Sequence, residues 1–131
     1  MRTLYGPVRL TVMELPHRAV ISVFRIVRSD YRDDPVFLNS LRSNYDMGDE
    51  PRKAERESTA IHMGISVHLD RSDAVGTAKR WPKLGDYTAR LDLTAGRGFN
   101  YAPTGPPGHL TLWADPVKLQ DVLVDIEPVD P

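Results

Sequence analysis

YTARLDL, residues 87–93, sets Tyr87, Ala89, Leu91 and Leu93 on one side of an extended chain and Thr88, Arg90 and Asp92 on the other. An apolar–polar alternation of period two is the pattern of a strand with one buried face, and it gives a helix no continuous stripe. RAVISVFRIVRS, residues 18–29, is dense in β-branched residues and reads as a second, well-buried strand of about ten residues. The chain must therefore build a sheet. Its eleven prolines and nine glycines in 131 residues divide what remains into short elements with many turns.

VRLTVMEL, residues 8–15, alternates Val8, Leu10 and Val12 with Arg9, Thr11 and Met13 until Pro16 ends the run, which predicts a first strand. Asp34-Pro35 is a helix start, since Asp caps free amides and proline at the first helical position forfeits no hydrogen bond. The stripe Phe37, Leu38, Leu41, Tyr45 extends that helix to about Tyr45. Residues 46–59, charged and lacking apolar periodicity, predict a surface loop. IHMGISVHL (61–69) reads as a strand, and DRSDAVGTAKRWP (70–82) as a short helix capped by Asp70 or Ser72 and stopped by Pro82. Residues 96–108, rich in Gly and Pro, predict a second loop with a short extended piece at Phe99 and Tyr101. HLTLWA is another strand, Asp115-Pro116 opens another short helix, and Val122, Val124 and Ile126 alternate in a last strand. The order β, β, α, β, α, β, β, α, β lacks the regular βα repeat and Gly-rich first turn of a doubly wound nucleotide-binding domain. It predicts one α+β domain over 1–131, with a curved, mostly antiparallel sheet and about three short flanking helices.

Seventeen basic against eighteen acidic side chains leave a formal charge of −1, so no global field draws the chain to nucleic acid or an anionic membrane. Arginine outnumbers lysine 13 to 4, from codon usage or from a preference for planar anion contacts. With no cysteine there is no disulfide, thiol nucleophile or thiolate metal site, and no metal is expected. No stretch approaches the ~20 apolar residues of a membrane span, and a cytoplasmic location is the expectation.

In residues 61–69, period two groups Ile61, Met63, Ile65, Val67 and Leu69 on one face and His62, Gly64, Ser66 and His68 on the other. The second face is a cleft floor, with Gly64 admitting close approach by a ligand, or else a solvated sheet face with Gly64 at a bulge. His62 and His68 would stand about 20 Å apart along a strand, too far for one metal. Arg25, amid Ile21, Val23, Phe24, Ile26 and Val27, must be paired or aimed at an anion, because an unpaired buried charge is costly. Tyr101 and Trp113 flank or follow the Gly/Pro loop, where they stack on a planar ligand or cover the sheet edge. His109 and His62 are the candidate acid–base groups, having an unperturbed pKa of about 6.5. No P-loop, HExxH or calcium loop is present.

VFRIVRS (23–29), MGISVHLDRSDAVGTAKR (63–80) and the strands that follow resemble, in order over residues 19–129, the ADP-ribosyltransferase-like fold, including the RES-type toxins that degrade NAD. The resemblance implies NAD as cofactor or substrate, with Arg25 on its phosphates or ribose and Ser66 beside the nicotinamide. Where it implies a catalytic glutamate, near the start of the penultimate strand, this chain reads GHLTLW, with His109 and no carboxylate. A neutral histidine cannot supply the negative charge that stabilises an oxocarbenium-like transition state. Two functions follow. One is an NAD- or nucleotide-binding cleft formed by Arg25, Ser66, Gly64, the histidines, Tyr101 and Trp113. The other is a non-catalytic module that contacts a protein partner through loops 46–59 and 96–108. Pairing of an exposed strand edge would make either a homodimer.

Overall fold

The chain is described by a computed structural model covering residues 2–4 (backbone), 10–51, 55 and 58–130. The longest ladder joins the two strands clearest in the sequence: β3 (Val20–Val27) pairs antiparallel with β5 (Tyr87–Thr94) over eight residue pairs, from Val20↔Thr94 to Val27↔Tyr87. Around it are β1 (Arg2–Leu4), β2 (Leu10–Glu14), β4 (Ile65–His68), β6 (Asn100–Pro103), β7 (His109–Trp113) and β8 (Leu123–Pro128). The sheet order is β1-β2-β6-β7-β4-β3-β5-β8, and every described pairing is antiparallel. With helices α1 (Pro35–Ser40), α2 (Thr59–His62), α3 (Arg71–Arg80) and α4 (Pro116–Asp121), this is a single α+β domain. Of the expected first strand, Val8 and Arg9 lie outside the described residues, as does part of loop 46–59.

Strand alternation divides the packing between the faces. Val23, Val27, Leu91 and Leu93 enter the main core with Ile65, Val67, Leu110 and Leu112, and Phe37 of α1 and Leu119 of α4 close it. Phe24 and Ile26 point the other way, against Ala74 and Ala78 of α3. The expected caps act at α1 and α4: Asp34 Oδ1 accepts from Val36 N and Asp115 Oδ1 from Val117 N, each at 2.9 Å.

Four expectations need correction. Helix α1 stops at Ser40, not Tyr45, because Ser43 Oγ accepts from Asp46 N and turns the chain, leaving Tyr45 exposed. The strand expected over 61–69 spans only 65–68. Buried Ser58 accepts from Ile61 N and caps the single turn α2, so the alternation of residues 61–64 belongs to a helical turn, and Met63 and Leu69 are exposed. Residues 100–103, expected to hold only a short extended piece, form β6 in full, paired to both β2 and β7. In β8 a register shift opposite Arg90 and Leu91 breaks the alternation: Leu123 and Ile126 pack on the core while Val124 is exposed.

One junction is unlike the others. β3 and β4 share a single ladder pair, Phe24↔His68, after which the two strands part. The sheet is thereby split into β1-β2-β6-β7-β4 and β3-β5-β8, joined at one point.

Candidate functional site

Where β3 and β4 separate, a cleft of about 590 Å³ opens, lined from β3, β4, β7, α1, α3 and the segment after α1. Arg25 crosses the parting: its Nε donates to Ser40 O and its Nη1 to Ser66 O, both at 2.9 Å. The guanidinium thus ties α1 to β4 through one backbone carbonyl on each, Ser40 at the end of α1 and Ser66 in β4. The side chain also makes an interaction beyond these two.

Arg25, Ser66, Gly64, His68 and His109 all line this cleft. The ladder explains the last two: His68 of β4 is the register partner of His109 of β7, so their side chains emerge together, with ring centroids 5.2 Å apart in an edge-to-face contact. His109 is held from behind. Its Nδ1 lies 2.8 Å from Thr104 O, an acceptor only, so Nδ1 carries the proton and Nε2 keeps a lone pair. Thr104 Oγ1 also contacts Nδ1 at 3.0 Å and Thr111 Oγ1 at 2.9 Å. Burial pushes both histidines below the usual imidazole range; for His68 the neighbouring His109 adds to this, and Arg25 acts in the same direction on both. Asp73 partly offsets the shift at His68, and the Thr104 carbonyl at His109.

The other sequence candidates lie elsewhere. His62 closes α2, where its Nδ1 meets Glu55 Oε1 at 2.9 Å and its ring lies edge-on to Tyr45. Tyr101 is buried in the main core. Trp113 donates Nε1–H to Ala60 O and is not among the described cleft residues. Gly64 is dictated by packing: a Cβ there would collide with Thr111 Cγ2 and stand 3.0 Å from Trp113 Nε1 and 3.1 Å from Leu112 O.

The structure brings further charged residues to the cleft. Arg28, Arg42 and Arg80 bring three more guanidinium groups to the cleft lining, and Asp49 and Glu55 bring its carboxylates. Asn44 Nδ2 donates to both oxygens of Glu55 at 3.1 Å, fixing that carboxylate against His62. Arg42 and Arg80 make no ion pair among the described residues. Ile26, Val36, Met47 and Leu84 supply an apolar wall. Among the described residues no three His, Asp or Glu side chains cluster as a metal would require, and no helix is long and apolar enough to cross a membrane. The chain matches no protein-family model, no curated protein and no solved structure.

Proposed function

We propose that the cleft binds a nucleotide bearing a diphosphate, with NAD the ligand that the sequence resemblance implies. The observation that carries this reading is the convergence of Arg25, Arg28, Arg42 and Arg80 on one cavity beside an apolar wall. Planar guanidinium groups match phosphate oxygens two at a time, and an apolar wall accepts a base or nicotinamide ring. The volume of about 590 Å³ lies within the range of small-molecule sites, roughly 300–1,000 Å³. Gly108 O accepts from Leu69 N and Pro106 lines the cleft, which favours loop 96–108 as a wall of this site over a separate surface for a protein partner.

Binding, and not turnover, is the activity assigned. The cleft carboxylates are Asp49 and Glu55, on the segment after α1, whereas β7 presents His109. Isothermal titration decides the matter: NAD and ADP-ribose should bind and raise the melting temperature, and adenosine should do neither. The double variant R42Q/R80Q, changed at exposed positions, should fold normally and bind ADP-ribose at least about tenfold more weakly, as expected for the loss of about 1.4 kcal/mol of charge-assisted contact. Equal binding of adenosine and ADP-ribose, or no binding of either, would refute the reading.

A further inference from the structure

The His68–His109 pair stands at the point where an anion held by Arg25 would meet the sheet, and both imidazoles are neutral at neutral pH for physical reasons already given. A neutral His109 is poorly suited to an anion. With Nδ1–H committed to Thr104 O, the nitrogen left for the cleft is Nε2, a lone pair that repels phosphate oxygen. Protonation turns Nε2 into a charged donor. That proton is opposed by Arg25 and by the partner ring, and an anion beside the pair reverses the balance.

From this geometry we infer that His68 and His109 form a proton-loaded anion subsite: a diphosphate ligand enters the cleft together with a proton, which the imidazole pair takes up. The inference rests on the reading of the cleft as a phosphate site. The charged groups facing the pair are Arg25 from β3 and Asp73 from α3, with Arg80, Arg28, Arg42, Asp49 and Glu55 around the same cleft. Asp73 favours protonated His68 and lies against the turn that leads into His109, its Oδ2 standing 3.4 Å from where a Cβ on Gly108 would be. Rings in edge contact oppose a second positive charge, so the two titrate as a unit and uptake approaches one proton, not two.

ADP-ribose is the suitable probe, because its diphosphate is esterified at both ends and does not titrate in the window of about pH 5–8 where histidine does. Titration calorimetry at pH 7 in PIPES and in Tris, whose ionisation heats differ, reads the protons exchanged. The expected result is net uptake, with affinity rising by up to about tenfold per unit fall in pH across the histidine window. The double variant H68Q/H109N should bind with no uptake, while H17Q, in an exposed loop away from the cleft, should behave as wild type. Histidine ring resonances of the wild-type protein give a readout that needs no variant: adding ADP-ribose should raise the titration midpoints of His68 and His109. Binding without uptake, uptake that survives in H68Q/H109N, or unmoved midpoints would overturn the subsite and leave the cleft reading standing. Failure of ADP-ribose to bind at all would overturn both.

Discussion

Gly64→Ala tests whether the seam between α2 and β7 is as tight as the geometry requires. The added methyl would overlap Thr111 Cγ2 and sit 3.0 Å from Trp113 Nε1 and 3.1 Å from Leu112 O, and the last of these is backbone in a paired strand. Thr111 is 2% exposed and its Oγ1 bonds Thr104, so its methyl cannot swing aside without losing that bond. Overpacking of this kind costs about 1–3 kcal/mol. With an unfolding entropy of roughly 2.1 cal/mol/K per residue, 131 residues give about 0.28 kcal/mol/K, so a cost near 2 kcal/mol lowers Tm by about 7 °C. Urea unfolding of G64A, T111S and G64A/T111S gives the coupling directly. T111S keeps the hydroxyl, removes the overlapping methyl and should cost about 1 kcal/mol alone. In the double variant the two costs should add to less than their sum by about 1 kcal/mol, the remainder reflecting Trp113 and Leu112. A neutral G64A, or strictly additive costs, would show that this contact does not limit the seam.

Gly76 lies within α3 and a Cβ there would meet nothing within 4 Å, so G76A should stabilise the protein by about 0.5–1 kcal/mol in urea unfolding. Asp115→Ala removes only a helix cap and should cost about 1 kcal/mol, whereas Asp34→Ala also strips Ser29 Oγ of its acceptor and should cost up to about 2 kcal/mol. Because His68 and His109 titrate lower in the folded chain than in the unfolded one, the unfolded chain binds more protons just below about pH 6.5. Stability should therefore be fully present above that pH and fall as the pH drops through the folded values. Urea midpoints measured between pH 7.5 and 5.5 (roughly the histidine window) should show a shallower fall in H68Q/H109N than in wild type.

The sheet was legible because its two longest strands carry their burial in their own alternation: Leu91 and Leu93 are buried as YTARLDL requires, with Val23 opposite Leu91 and Ile21 opposite Leu93. The Asp-Pro pairs marked two helix starts for a local reason, a side-chain oxygen two residues from the amide it caps. Where the sequence misled, the deciding contact was remote or irregular. His62-Met63-Gly64 continues the alternation of β4 on paper, yet Ser58 winds the preceding residues into α2. Tyr101 sits beside a Gly/Pro loop and reads as a surface aromatic, but β6 is sandwiched between β2 and β7, and that pairing buries the ring. The cleft residues divide the same way. Arg25 was conspicuous as a charge inside an apolar run, while Arg42, Arg80 and Glu55 sit in polar segments whose default is solvent, and only the folded chain brings them to one cavity.

Arg25 also shows why the cleft exists. At the parting of β3 and β4 the last carbonyl of α1 and a carbonyl of β4 face the Arg25 side chain, and carbonyls without donors are costly. A guanidinium, with five donors in a rigid fork, satisfies carbonyls on two elements at once and still presents charge to the space between them. Holding the split open and attracting an anion are therefore one task for this residue. A substitution there would disturb the walls of the site together with its charge and could not tell the two apart. Arg42 and Arg80 line the same cavity from exposed positions without bridging the strands, so they are the residues through which binding can be changed while the fold is left alone.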